Sequence, residues 1–110
     1  MSLRFRRLVV AVFFTAAIGS VQAASTIVVD QRGLVFNMKS ADLAKGDRMI
    51  YANSDDVTHN IHVFRDDDED LADLGLQKPG VKLTYKFDKA GRFLVRCNIH
   101  PSMKMVVTVK

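Results

Sequence analysis

Residues 92–110 read Arg-Phe-Leu-Val-Arg-Cys-Asn-Ile-His-Pro-Ser-Met-Lys-Met-Val-Val-Thr-Val-Lys, in which two apolar runs flank a loop with a cysteine, a histidine and a methionine. The runs at 92–97 and 104–110 are short and rich in Val, Leu and Phe, so we predict two β-strands. In the second run Met105, Val107 and Val109 alternate with other residues, which places them on one face of that strand.

Short apolar segments separated by turn signals continue through the chain from residue 24 onwards. The turns carry Gly, Pro, Asn or Asp, as in Lys45-Gly46-Asp47 and Lys78-Pro79-Gly80. Further strands are predicted at 26–30, 34–38, 48–53, 60–64 and 82–88. This pattern predicts an all-β fold, either a β-sandwich or a small barrel. The segments 41–45 and 71–77 could each hold a short helical turn, and the sequence leaves both open.

The first 23 residues have the composition of an export signal. Arg4, Arg6 and Arg7 precede the apolar run 8–18, and the small-residue end Val21-Gln22-Ala23 follows. An apolar run of about 11 residues is too short for a membrane span, which needs about 20. We therefore predict a cleaved signal peptide at 1–23, a domain at 24–110, a periplasmic location and no stable membrane insertion.

The charge of the chain changes when this segment is removed. The formal charge of +4 includes three arginines of the predicted signal, which has no acidic residue, so the mature chain is almost neutral. Its basic residues are scattered, whereas nucleic-acid binding needs a clustered basic surface. We therefore exclude nucleic acid as a partner. The acidic residues are concentrated instead in one run, named here the acidic segment: Asp66, Asp67, Asp68, Glu69 and Asp70.

Cys97, His100 and the methionines Met103 and Met105 are potential metal ligands near the end of the chain, and His59 is another after an upstream turn. Thiolate, imidazole and thioether together favour copper, because soft sulfur ligands select it. Zinc is the competing metal, although a thioether serves it poorly. Cys97 and His100 could also form a nucleophile and its base. Methionine has no acid–base role, so we predict that the protein is not an enzyme.

Several segments resemble those of cupredoxins, the type I (blue) copper proteins that include plastocyanin, amicyanin and pseudoazurin. Residues 56–61, Asp-Val-Thr-His-Asn-Ile, resemble the segment with the first histidine ligand, and residues 87–91 resemble the approach to the cysteine strand. Residues 73–80, Asp-Leu-Gly-Leu-Gln-Lys-Pro-Gly, are similar to a loop of a bacterial, methylamine-utilisation-like subgroup. The resemblance implies a Greek-key β-sandwich of about seven to eight strands that binds one copper ion.

The resemblance also implies the ligand set of His59, Cys97 and His100. For the axial ligand, Met103 gives the short amicyanin-like spacing, and Met105 is the alternative with plastocyanin-like spacing. Asn60 is implied to hydrogen-bond the cysteine segment and hold the ligands from outside the first coordination shell. His62 departs from the common pattern, and we predict a surface or half-buried side chain that does not share the metal with His59.

The function implied is that of an exported blue copper protein that carries single electrons by Cu(I)/Cu(II) cycling. The resemblance places the electron exit at His100 within an apolar surface to which Pro101 contributes. The acidic segment would then steer a basic redox partner, such as a c-type cytochrome or a periplasmic oxidoreductase, to a monomeric protein. The alternative function is a periplasmic carrier or storage protein that binds Cu(I) without transferring electrons.

Overall fold

The computed structural model describes residues 23–110, so the predicted signal peptide lies outside the described residues except for Ala23. Within this range, no helix is long and apolar enough to cross a membrane. The described residues form nine strands. Their bounds are β1 Thr26–Arg32, β2 Val35–Phe36, β3 Ser40–Leu43, β4 Arg48–Asn53, β5 His59–Arg65, β6 Asp70–Gln77, β7 Lys82–Lys86, β8 Gly91–Arg96 and β9 Lys104–Val109.

The strands form two sheets that pack face to face, which confirms the predicted all-β sandwich. One sheet has the order β2-β1-β4-β7 and the other has the order β3-β9-β8-β5-β6. Side chains alternate between the two faces of a regular strand, so every second residue of such a strand enters the core. In β4, for example, Met49, Tyr51 and Asn53 are buried while the residues between them are not.

All seven predicted strands are present, with ends that differ by a few residues. The two segments left open, 41–45 and 71–77, overlap strands rather than helical turns. β3 pairs in parallel with β9, and β6 pairs antiparallel with β5. Their backbone groups find hydrogen-bond partners in neighbouring strands, which outweighs the intrinsic helix preference of Ala, Leu and Gln in these segments.

The hairpin of β8 and β9 positions the loop with most of the potential ligands. Val95 lies opposite Met105 and Arg96 opposite Lys104, so the strands separate directly before Cys97. The Cys97 N–H donates to Met103 O at 3.1 Å and closes the loop across its base. Residues 97–103 therefore form a compact loop at one end of the five-stranded sheet.

Candidate metal centre

Three potential metal ligands meet at this end of the sandwich: His59, Cys97 and His100. His59 begins β5, and Cys97 directly follows the adjacent strand β8. The Nδ1 atoms of His59 and His100 are 3.1 Å apart, and Cys97 Sγ lies 3.9 and 3.7 Å from them. His59 and Cys97 are buried, with 0% and 1% of their surface exposed, whereas His100 is only partly buried.

The orientation of the His59 ring is fixed by Asp55, a residue that the sequence analysis did not identify. His59 Nε2 lies 2.7 Å from Asp55 Oδ2. A carboxylate accepts hydrogen bonds, so Nε2 carries the ring proton and Nδ1 keeps its lone pair. That lone pair is directed at Cys97 Sγ and His100 Nδ1, as metal binding through Nδ1 requires.

Asp55 is held in turn by the hairpin between β1 and β2. Its carboxylate accepts the backbone N–H groups of Gly33 at 2.6 Å and Leu34 at 3.2 Å. Leu34 has a φ of 59°, an uncommon backbone conformation for a branched residue, within the turn that presents these donors. Desolvation raises the pKa of Asp55, but the hydrogen bonds from His59, Gly33 and Leu34 outweigh it and lower the pKa below its usual value.

Asn60 connects β5 to the segment of Cys97. Its backbone N–H donates to Cys97 Sγ at 3.3 Å, and its Oδ1 accepts the N–H of Asn98 at 3.2 Å. Its Nδ2 donates to Asp73 Oδ1 and to Gly75 O in β6. Asn60 therefore holds Cys97 Sγ at its N–H group and the following residue at its side chain.

Both candidate axial ligands are buried, but they occupy different kinds of position. Met103 ends the loop, and its N–H donates to His100 O at 2.9 Å. Met105 lies within β9 and faces the core with Val107 and Val109. Met103 is therefore part of the loop that holds Cys97 and His100, and Met105 is part of a regular strand.

The residues present fit a copper ion. Two donors that each bind a shared ion at about 2.0–2.3 Å lie no more than about 4.6 Å apart, and all three donor separations meet this limit. Two imidazoles, a thiolate and a nearby thioether form the donor set that copper prefers, while structural zinc sites favour additional thiolates or carboxylates. The chemistry of the donors thus agrees with the sequence-based prediction.

An apolar surface borders the cluster, and a charged surface lies along the same sheet towards the other end of β5. Ile99 is 45% exposed and Pro101 is exposed, and both flank His100 in the loop. The acidic segment lies at the turn from β5 into β6, where three arginines pair with it: Arg65 with Glu69, Arg92 with Asp66 and Arg96 with Asp68. Five carboxylates and three guanidinium groups leave this surface with a formal charge of −2, so it is less acidic than the sequence suggested.

His62 lies outside the cluster of His59, Cys97 and His100, and it is more buried than predicted. Only 8% of its surface is exposed. Its ring stacks on Phe64 at a centroid distance of 4.1 Å and lies between Asp70 and Asn98. Residues of β6 and of the ligand loop thus cover a side chain that strand alternation alone places on the outer face of the sheet.

An all-β sandwich with a His, Cys and His cluster at one end defines a class of small metal-binding proteins. The chain belongs to the plastocyanin/azurin family of copper-binding proteins, whose family model matches residues 23–110. This membership confirms the resemblance to cupredoxins and identifies copper as the cofactor.

Solved structures of amicyanin are similar to this chain. A reduced variant of amicyanin has 25% identity and a TM-score of 0.70, covering 80% of this chain and 85% of that chain. Amicyanin from Paracoccus versutus has 20% identity and a TM-score of 0.68, covering 77% of this chain and 81% of that chain. At the lower identity the likeness shows the fold alone. No curated protein gives a significant match.

Proposed function

We propose that this protein is an exported type I blue copper protein that carries single electrons between redox partners and is not an enzyme. The cluster of His59 Nδ1, Cys97 Sγ and His100 Nδ1, with all separations between 3.1 and 3.9 Å, is the observation that carries the proposal. When bound, copper would supply one-electron chemistry through its Cu(I) and Cu(II) states. His59, Cys97 and His100 are the proposed equatorial ligands and Met103 is the proposed axial ligand.

The protein would contribute a rigid set of ligands that is largely shielded from solvent. Asp55 fixes the tautomer of His59, and Asn60 donates to Cys97 Sγ. The backbone hydrogen bonds of Met103 to Cys97 and His100 hold the loop closed. Such outer contacts keep ligands in place and tune the metal. A ligand set held in this way changes little between two oxidation states, which favours fast electron exchange.

The partner surface is proposed at the exposed side of the cluster. His100 is the partly buried ligand, and Ile99 and Pro101 flank it with apolar surface. Electron-transfer encounters are small and transient, so a modest apolar contact is sufficient. We propose a redox protein as the partner, either a c-type cytochrome or a periplasmic oxidoreductase, with the acidic segment guiding its approach to a monomeric protein. The proposed location is the periplasm, reached through the signal peptide at 1–23.

Titration of the purified metal-free protein with Cu(II), followed by visible absorption and EPR, tests the function. We expect one equivalent to produce the intense visible band of a Cu(II)–thiolate bond and a reversible one-electron couple. Cys97→Ser is the matched control and should lose the band. Tight Cu(I) binding without a stable Cu(II) band would contradict the proposal and favour the alternative of a copper carrier or storage protein.

A further inference from the structure

His62 is a buried titratable residue on the opposite face of β5 from the core. Its neighbours Ile61 and Val63 point into the sandwich and are fully buried. His62 shares the outer face with Asn60 and Phe64. Across the sheet it lies opposite Arg96 in β8 and Asp73 in β6. The metal cluster uses none of its ring atoms.

The two ring nitrogens of His62 contact two different parts of the molecule. Nδ1 lies 2.7 Å from the side-chain Nδ2 of Asn98, and Nε2 lies 2.8 Å from Asp70 Oδ1. The amide nitrogen is a donor, so Nδ1 accepts from it and the ring proton is on Nε2, where it is donated to the carboxylate. A neutral His62 therefore satisfies both contacts at once.

Asn98 is the residue that directly follows Cys97. Its backbone N–H donates to Asn60 Oδ1 at 3.2 Å, and its side chain donates to His62. β5 thus holds Asn98 at two points, by Asn60 at the backbone and by His62 at the side chain. Because Asn98 begins the turn from Cys97 to His100, its position limits where those two residues can lie.

Resting on the proposed function of the copper site, we propose that His62 is a positioning residue that couples Asp70 of the acidic segment to the ligand loop through Asn98. It completes a hydrogen-bonded path from Asp70 of the acidic segment to Asn98, the residue next to Cys97. A change at Asp70 alters the contact between His62 and Asn98, and a change at Asn98 alters the contact between His62 and Asp70. The copper site therefore responds to the hydrogen bonding of His62, which does not touch the metal.

Protonation of His62 is one such change. A proton on Nδ1 would face the Asn98 amide donors, so the amide must turn to present its oxygen. The charged groups around the ring are Asp70 at 2.8 Å, Asp73 at 3.9 Å from Nδ1 and Arg96, whose guanidinium lies over Phe64 and pairs with Asp68. A change in the charge of the ring would therefore change its contacts with both Asp70 and Asn98.

The direct test is an NMR titration of the metal-free protein, comparing wild type with His62→Gln. We expect the side-chain amide signals of Asn98 to shift as the His62 ring titrates, and this component to disappear in His62→Gln. The variant retains His59 and His100, so any shift that persists belongs to those residues. Asp70→Asn should shift the side-chain amide signals of Asn98 at a fixed pH, because it changes the group that His62 Nε2 contacts. An Asn98 amide that does not follow the His62 ring would overturn the coupling, even if copper binds as proposed.

The second test uses the copper-loaded protein. We expect the visible band and the reduction potential of the wild type to show a pH-dependent step that is absent in both His62→Gln and Asn98→Ala. His62→Gln can still bond Asn98, so its spectrum should match that of wild type at high pH. A step that is unchanged in both variants would show that His62 is not coupled to the site. Failure to form a blue site at all would contradict the proposed function and leave the NMR result to decide the coupling.

Discussion

Asp55 shows how one carboxylate outside the ligand set can determine the chemistry of the site. It accepts a hydrogen bond from His59 Nε2 at 2.7 Å and makes the imidazole a more basic ligand. We predict that Asp55→Asn weakens Cu(II) binding by about 10–100-fold and raises the reduction potential, because a more basic ligand favours the higher oxidation state. Chelator competition and cyclic voltammetry measure the two effects.

Asp56→Asn is the control for this prediction, since Asp56 is exposed and adjacent in sequence. It removes the same charge from the same turn without removing the contact to His59. An equal shift in potential for the two variants would assign the effect to general charge rather than to the hydrogen bond.

Met103 and Met105 provide a second comparison of single residues, because both are buried and only Met103 lies in the ligand loop. We predict that Met103→Leu changes the visible and EPR spectra of the copper protein and that Met105→Leu does not. The substitution nearly conserves volume and costs less than about 1.5 kcal/mol of stability at a core position. A spectrum altered only by Met105→Leu would identify Met105 as the axial ligand and Met103 as a core residue.

Some residues of the site could be predicted from the sequence, and Asp55 could not. Cys97, His100 and Met103 are recognisable because their spacing within one loop is fixed by the chain itself. Asp55 gave no such signal, since a carboxylate in a turn is normally solvated. Its role depends on the β1–β2 hairpin, which supplies the N–H groups of Gly33 and Leu34 from a distant part of the sequence.

Among the elements, β6 was the least predictable from its sequence. Its residues show no period-two alternation, because the pairing with β5 shifts register near Asn60 and again near Val63. Gly75 has a φ of 86°, which a strand accommodates only at an irregular position. The strands with clear alternation, such as β4 and β9, were predicted with nearly correct ends.

The irregular part of β6 is stabilised by Asp73. Its Oδ1 accepts the N–H of Gly75 and the side-chain amide of Asn60, each at 2.8 Å. These hydrogen bonds lower the pKa of Asp73, the one from Gly75 most. A carboxyl group with a lowered folded-state pKa stabilises the fold above its unfolded pKa of about 3.9 and loses this contribution as pH falls through the folded value.

We therefore predict that Asp73→Asn destabilises the protein at pH 7 and that the difference from wild type is smaller at an acidic pH below the unfolded pKa of Asp. Urea unfolding of the metal-free protein at both pH values measures the difference in the free energy of unfolding between Asp73→Asn and wild type. Asp42→Asn, on another strand of the same sheet, controls for the loss of one negative charge. A difference that persists unchanged in acid would mean that geometry rather than charge matters at Asp73.

At the scale of the whole molecule, a buried glutamine pair ties the two sheets together behind the metal centre. Gln77 lies in β6 opposite His59, and its Nε2 donates to Tyr51 O at 2.7 Å in the other sheet. Its Oε1 accepts from Gln31 Nε2 at 2.6 Å. We predict that Gln77→Leu lowers the free energy of unfolding by at least about 1–3 kcal/mol, because buried polar groups lose their partners.

Urea denaturation of the metal-free protein measures this loss. The exposed neighbour Lys78 offers a control, and Lys78→Ala should stay within about 0.5 kcal/mol of wild type. Equal stability of Gln77→Leu and wild type would show that water or a rearranged neighbour replaces the lost hydrogen bonds.

The charge of the acidic segment supports a prediction about the rate at which the protein associates with a basic redox partner. The paired arginines reduce the acidic segment to a formal charge of −2, so steering of a basic partner should be present but weak. We predict that the rate of electron transfer with a basic c-type cytochrome falls moderately with ionic strength. Arg92→Gln should steepen this dependence, and Asp67→Asn should flatten it.

Stopped-flow kinetics over a range of salt concentrations measures these slopes. The two variants alter the same surface in opposite directions, so each serves as the control for the other. A rate that is flat or rising with salt in the wild type would rule out steering by the acidic segment.

The burial of Cys97 has a consequence for the lifetime of the protein under oxidising conditions. With 1% of its surface exposed, its sulfur cannot reach a second molecule or an oxidant while the sandwich is closed. Oxidation and covalent dimerisation therefore require the end of the sheet to open first. In the metal-free protein, the rate at which disulfide-linked dimers form therefore reports how often this end of the sheet opens. The fold itself protects the thiol before any metal is bound.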